Sequence, residues 1–277
     1  MYCDLHAHSD YSDGTFSPAQ LLDEAARIGL GAVALTDHNT VAGLPAFMEA
    51  ARGREVEAVP GCEFSTDYHG VELHILGLFI QPAHYKTVTE LLEAAQKEKE
   101  RSNRQLVAAL NAAGYEVDYA QICARCNGQI NRAHIAAELV EKGYFAEMQA
   151  CFKGPLSAKH GLYRPPKRID AYDCIRFIRS IGAVAVLAHP FLNLDEAGLR
   201  AFLPQAVSAG LSGMEVAYSK YSPQTTAIAH TVAAEFGLCC SGGSDFHGGN
   251  KPDIALGTGR GDLAVPMAWL AALKNCI

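Results

Sequence analysis

Seven short apolar runs, most of them followed by a helix-forming stretch, constrain this chain more than any other feature of its sequence. "YCDLH" precedes "SPAQLLDEAARIG", in which Ser17 can cap a helix, Pro18 suits its first position and Gly29 ends it. Strand "AVALTDH", helix "AGLPAFMEAAR", strand "VEAVPGCEFS" and the alternating run "VELHILGLF" come next. The rhythm resumes later: "AYDCIRFIRSIG" leads into "AVAVLAHP", "EAGLRAFLPQAVSAG" into "GMEVAYS", and "SPQTTAIAHTVAAEFG" into "LCCSGGSDFH". Nearly continuous apolar strands alternating with helices predict an α/β protein with a parallel sheet covered by helices. About seven strands favour closure into a barrel over an open doubly wound sheet.

The rhythm breaks between 88 and 168. A long charged helix, "ELLEAAQKEKERSNRQLVAALNAAG", ends at Gly114; "INRAHIAAELVEKG" gives a second helix, and "GLYRPPKR" reads as an extended, proline-stiffened segment. The expected organisation is a barrel from 1–87 and 169–277, with 88–168 as a helical insertion over its carboxyl-terminal rim that contributes to substrate binding. The charges of "QKEKERSNR" suit a solvated helix face.

Hydrophobic residues make up 49% and charged residues 19% of the chain, enough for a sizeable core. A formal charge of −7 argues against broad attraction to nucleic acid or to an anionic membrane, so an anionic substrate needs local cations. Asp4 and His6 come too early for a signal-peptide core, and no apolar run approaches membrane-spanning length. The nine cysteines are odd in number and scattered, which suggests reduced thiols in a cytoplasmic protein. "CARC", Cys123 to Cys126, is a CxxC without a second pair, and ordinary thiols explain it better than zinc or redox chemistry.

Histidines and carboxylates gather where the predicted strands end. His6 and His8 close the first strand, Asp37 and His38 the second, Glu63 the third, His189 follows "AVAVLA", and Asp245 with His247 close the last. His74 lies inside "VELHILG". Side chains at i and i+2 of an extended segment share one side, so His6 and His8 aim together. In a parallel barrel all of these except His74 fall on the carboxyl-terminal rim, where active sites gather, and His74 can point inward to the same pocket. Neutral imidazole and carboxylate from five strands point to divalent metal.

"DLHAHSDYSDG", "ALTDHNT", "GCEFS", "HILG", "LAHP" and "GGSDFHG" together resemble the PHP superfamily, named for polymerase and histidinol phosphatase. The first and last of them are most similar to its metal-dependent phosphoesterases, including nucleoside 3′,5′-bisphosphate phosphatases. The resemblance implies a distorted (β/α)7 barrel with a trinuclear site. One ion is expected on His6, His8, Glu63 and Asp245, a second on Asp13, His38 and His247, and a third on Glu63, His74 and His189, with Glu63 bridging. Many relatives carry histidine where Asp13 stands; a carboxylate there hardens the site and favours manganese, iron or magnesium over zinc. It also implies that Arg132 and His134 of "NRAHIAAEL" grip a substrate phosphate, against which a surface arginine and a helix-packing histidine remain open.

The expected reaction is hydrolysis of a nucleotide phosphomonoester, best a nucleoside 3′,5′-bisphosphate, by in-line attack of a metal-bridging hydroxide. Three divalent ions outweigh the three ligating carboxylates and keep the pocket cationic. Asp37 either orients a ligand or water from behind, or caps the turn after its strand. Tyr218 and Tyr221 follow the sixth strand, where core or surface tyrosines are the commoner reading and stacking on a base is the alternative; Lys159, Lys167 and Arg168 add charge without a definite place. His69, His84, His160 and His230 read as structural. A 5′-to-3′ exoribonuclease on short RNA is the alternative, histidinol phosphate a third substrate, and a catalytically inactive metal-binding module is disfavoured because every ligand position is filled.

Overall fold

The computed structural model describes residues 1–125, 130, 132–160 and 162–277; Cys126 of "CARC" and Asn131 lie outside them. The chain forms two compact units, Met1–Glu90 with Ile169–Ile277, and Leu91–Arg168.

The first unit holds strands β1 (Tyr2–Ala7), β2 (Ala32–Leu35), β3 (Glu57–Tyr68), β4 (Val71–Leu78), β5 (Ile169–Asp170), β6 (Val184–Ala188), β7 (Leu211–Tyr218), β8 (Cys239–Gly243) and β9 (Val265–Pro266). Helices α1 (Pro18–Arg27), α2 (Leu44–Ala50), α7 (Ala171–Ser180), α8 (Glu196–Ala209), α9 (Pro223–Glu235) and α10 (Met267–Lys274) accompany them. Ser17 and Gln20 form a capping box around Pro18, so α1 starts where the sequence places it.

The strands pair in the order β8-β7-β6-β4-β3-β2-β1-β9, with β5 beside β3 off that path. Runs β1–β2–β3 and β6–β7–β8 are parallel, but β4 is antiparallel to both its neighbours. This departs from the fully parallel sheet predicted. Only His69 and Gly70 separate β3 from β4, both at positive φ (51° and 84°). A two-residue loop of this kind makes a hairpin and is far too short for a parallel crossover. The reversal has a consequence for the site: the first half of β4 lies level with the last parts of β3 and β6, pairing His74 with Ser65 on one side and Ala188 on the other.

The segment leaving β8 turns back onto β1. The Asp245 amide donates to the His6 carbonyl and the His8 amide to the Phe246 carbonyl, each at 2.9 Å, so the sheet nearly closes on itself as a barrel. Gly243 permits this approach: a Cβ there would lie 2.4 Å from the Cβ of His6. Strand β2 is buried along its whole length. Leu5, Val59, Leu76 and Val186 pack with Leu270 and Leu273 of α10 in one apolar cluster.

In the second unit, α3 (Tyr85–Ala112) enters from the first unit five residues before the predicted Glu90 and stops ahead of Gly114. It is joined by α5 (Arg132–Glu141) and by two short helices that the sequence pattern did not announce, α4 (Tyr119–Arg125) and α6 (Met148–Lys153). Leu106, Leu110, Ile122, Ile135, Leu139 and Leu156 form their core. Glu98–Arg101 and Glu100–Arg104 pair along the exposed face of α3. Among the described residues no helix is long and apolar enough to cross a membrane.

Gly243→Ala is expected to cost about 2 kcal/mol through overpacking at the closure, read as a lowered thermal midpoint; an unchanged midpoint would show that β1 and β8 are not held this closely.

Candidate metal centre

The closure of β8 onto β1, and the reversal of β4, bring the nine expected ligands together. Glu63 is fully buried at their middle. Its Oε1 lies 2.7 Å from His74 Nδ1 and 3.0 Å from His189 Nε2; its Oε2 lies 2.9 Å from His38 Nδ1 and 3.3 Å from Nε2 of both His6 and His8. Asp245 Oδ1 is 3.2 Å from His8 Nε2 and 3.8 Å from His6 Nε2. Asp13 Oδ1 is 3.2 Å from His247 Nε2 and 3.8 Å from His8 Nδ1, and its Oδ2 is 3.8 Å from His38 Nε2.

Donor atoms within 4.8 Å of one another fall into four sets: His8, Asp13, His38 and His247; His6, His8 and Asp245; His6, Glu63 and His189; and His38, Glu63 and His74. The grouping differs in part from the one implied by the resemblance. His8 joins the set of Asp13, His38 and His247, while His74 and His189 share Glu63 Oε1 but belong to different sets.

Do these residues fit metal ions? His6 Nε2, both ring nitrogens of His8, Glu63 Oε2 and His247 Nε2 are buried without a hydrogen-bond partner. An unsatisfied buried polar atom costs about 1–3 kcal/mol, and five of them converging on one region is the donor chemistry of divalent ions. They fit.

Backbone strain marks the same place. His189 and Asp245 take positive φ, 27° and 58°, a conformation that disfavours ordinary side chains. Hydrogen bonds hold both: the His189 amide donates to Glu215 Oε2 at 2.7 Å, and the Asp245 amide to the His6 carbonyl.

Glu215 is a residue the sequence reading missed. It is fully buried in β7, and its other oxygen lies 3.0 Å from His6 Nδ1. An Nδ1–H donated there turns His6 Nε2 toward Glu63 and Asp245. A lone carboxylate inside the apolar run "GMEVAY" was the available signal. Asp4 was also missed; it accepts from the amides of His6, Ser244 and Gly257 and from the Ser244 hydroxyl, tying β1 to the segment after β8. Tyr218 and Lys251 both donate to Asp245 Oδ2, at 2.9 and 2.8 Å, which leaves Oδ1 facing the imidazoles.

Asp37 accepts from the Ser9 amide (2.7 Å) and from the hydroxyls of Ser9 and Ser12 (both 2.6 Å). It therefore secures the turn that presents Asp13. Tyr218 is buried against His189, with ring centroids 5.2 Å apart, so it is a core tyrosine and its ring is not offered to a base. Tyr221 is half-buried and accepts the Phe191 amide.

Electrostatics follow from crowding. Burial works to raise the Glu63 carboxyl, but the imidazoles of His38, His6 and His74 and the His189 hydrogen bond outweigh it and hold the group well below the usual carboxylate range. Burial, reinforced by His38 and His247, pushes His8 down to about 3, the neutral form that ligates metal. His74, despite burial, is raised to about 10, chiefly by Glu63. Burial raises Asp37, against the hydrogen bonds from Ser12 and Ser9.

Within the second unit, Arg132 sits over the Tyr163 ring (4.2 Å) and donates to the Leu156 carbonyl (3.3 Å). His134 is half-buried, its pKa lowered by burial and by Lys99. Lys159 and Lys167 are exposed, and Arg168 is half-buried.

A PHP domain model matches residues 4–158. The chain belongs to the PHP family. The PHP chain is 35% identical over 250 residues to the 5′-3′ exoribonuclease Rnm of Escherichia coli, covering 88% of this chain and 84% of that one. To the 3′,5′-nucleoside bisphosphate phosphatase of Chromobacterium violaceum it is 32% identical over 247 residues, covering 88% and 86%. To the phosphoribosyl 1,2-cyclic phosphate 1,2-diphosphodiesterase of Eggerthella lenta it is 33% identical over 267 residues, covering 92% and 98%. A crystal structure from Bifidobacterium adolescentis, assigned as a metal-dependent phosphoesterase, superposes with a TM-score of 0.78 at 27% identity, over 99% of this chain and 96% of that one.

Two outcomes are expected of this PHP centre. Glu215→Gln should weaken Mn²⁺ binding by about tenfold or more, measured by chelator competition; unchanged affinity would show that the orientation of His6 does not matter. Because Glu63 keeps His74 protonated near neutral pH in the metal-free chain, metal uptake must displace protons. Affinity therefore rises as pH rises from 7 toward 10. Calorimetry in buffers of different ionisation enthalpy reads the released protons, and their absence would contradict this electrostatic picture.

Proposed function

We propose that this PHP chain, a metal-dependent hydrolase of phosphoester bonds, removes a phosphate from nucleoside 3′,5′-bisphosphates. The observation that carries the reading is the set of orphaned buried donors around Glu63, which suits divalent cations rather than a covalent nucleophile. Residues His6, His8, Asp13, His38, Glu63, His74, His189, Asp245 and His247 would hold the ions. Manganese, iron, magnesium and zinc all suit imidazole–carboxylate sites, and the Asp13 carboxylate favours the harder ones. When bound, such ions polarise the phosphoryl oxygens and make hydroxide available near neutral pH.

The chain's own residues do the positioning. Glu215 orients His6 and the backbone of His189, Asp37 secures the turn carrying Asp13, and Tyr218 with Lys251 fixes Oδ2 of Asp245. Arg132 and His134 are proposed to hold the phosphate that is not cleaved; a guanidinium can grip phosphate through two parallel hydrogen bonds. The relatives named above carry the names of an exoribonuclease, a phosphoribosyl cyclic phosphate diphosphodiesterase and a nucleoside bisphosphate phosphatase, which supports a nucleotide over histidinol phosphate.

Phosphate release from adenosine 3′,5′-bisphosphate with added Mn²⁺, abolished by chelator and restored by metal, is the expected result. No turnover above the chelated background would refute the reading. Arg132→Ala should raise KM for the bisphosphate about tenfold while affecting the monophosphate less; equal effects on both would remove Arg132 from phosphate recognition. A second reading, 5′-to-3′ trimming of short RNA, is favoured by the identity to Rnm, and a ladder of shortened products from end-labelled oligonucleotides would establish it instead.

A further inference from the structure

The segments that follow β6 and β7 line an open cleft of about 540 Å³, bordered among others by Phe191, Leu192, Asp195, Lys220, Tyr221 and Thr225. That volume lies within the ordinary range for small-molecule sites, about 300–1,000 Å³. Its wall residues are linked to the candidate ligands by sequence and by ring packing. Phe191 stands two residues after His189. The Tyr221 ring lies 5.3 Å from that of Tyr218, which is itself 5.2 Å from His189 and hydrogen-bonded to Asp245.

The walls are fixed rather than adaptable. The Phe191 amide donates to the Tyr221 hydroxyl at 3.0 Å, and the two rings meet nearly edge to face, 5.8 Å apart. Leu192, by contrast, leaves 45% of its surface in water at the edge of this cleft. Exposed aliphatic surface beside two anchored aromatic rings suits a flat apolar ligand. Lys220 and Asp195 line the cleft with opposite charges, so it is poorly matched to a second phosphate. Asp195 caps α8 through Oδ1 and Thr225 Oγ1 is bonded to Ser222 Oγ, so the Lys220 ammonium and the second Asp195 oxygen offer a donor and an acceptor to a neutral polar edge, with Thr225 keeping its remaining capacity.

We infer that this cleft is the subsite for the nucleoside portion of the substrate, with the base against Leu192, Phe191 and Tyr221 and its polar edge toward Lys220, Asp195 and Thr225. The assignment deepens the nucleotide reading and rests on it. It also explains how a centre that recognises only a phosphoryl group can favour a nucleotide over a simple sugar phosphate: the leaving group is selected on a surface adjoining the ligands but separate from them.

The test uses the full, Mn²⁺-loaded chain and two exposed positions, Leu192→Ala and Lys220→Ala. Adenosine is titrated calorimetrically, and kcat/KM is compared for adenosine 3′,5′-bisphosphate and ribose 5-phosphate. Adenosine should bind the wild type, and Leu192→Ala should weaken it about tenfold. The preference for the nucleotide over ribose 5-phosphate should fall by a similar factor, with the change in KM rather than kcat. Nucleotide turnover in the wild type with the preference intact in both variants would overturn the subsite while leaving the proposed function standing. Absence of nucleotide turnover would remove the proposed function, and adenosine binding would then decide the cleft alone: weakened by Leu192→Ala it stands, absent or insensitive it falls.

Discussion

One carboxylate organises the centre. Glu63 is buried completely, yet five imidazoles approach its two oxygens within 3.3 Å. An isolated ionised carboxylate in such surroundings would be strongly disfavoured. Here the surrounding rings keep it charged, and it in turn keeps several of them protonated when no metal is present. The cluster is thus a set of groups that satisfy one another poorly, since each ring nitrogen left without a hydrogen bond is also a ligand waiting for a cation. Protons and metal ions compete for the same lone pairs, and the fold keeps those lone pairs close together whichever occupies them.

That proximity is a property of the sheet, not of any local motif. The candidate ligands come from the ends of β1, β2, β6 and β8, from the turn after β1 that carries Asp13, from within β3 and from the first half of β4. Reversing one strand by a two-residue hairpin is what allows His74, early in its strand, to stand level with Glu63 and His189. Closing the sheet at Gly243 and Asp4 brings Asp245 and His247 against His6 and His8. The positive φ at His189 and Asp245 is the local cost of turning each chain sharply enough to aim its side chain inward.

The alternation of apolar runs and helices in the sequence carries most of this. Strand positions, the cap at Ser17 and the gathering of His and Asp at strand ends all follow from periods of 2 and 3.6 and from turn chemistry. The direction of β4 did not, because an alternating run such as "VELHILGLF" has the same pattern whichever way it runs; only the "HG" between the two strands bears on it. Glu215 and Asp4 lie inside their strands, not at the ends where the other carboxylates gather, and a carboxylate within an apolar strand is the anomaly that marks them. Tyr218 takes the core place that is the commoner one for a tyrosine ending an apolar run, and its hydroxyl has a buried partner in Asp245.

The two oxygens of Asp245 show how metal binding and substrate handling separate in so small a space. Oδ1 faces His6 and His8, while Oδ2 takes hydrogen bonds from Tyr218 and Lys251. Two donors on one oxygen leave it little capacity for a cation, so the residue is directed to ligate through the other. Tyr218 also packs against Tyr221, which lines the cleft. A rigid aromatic pair between the charged centre and the mixed cleft allows the phosphoryl group and the remainder of a substrate to meet different chemistries a few ångströms apart. In such an arrangement residues at the cleft can change without altering the donors around Glu63.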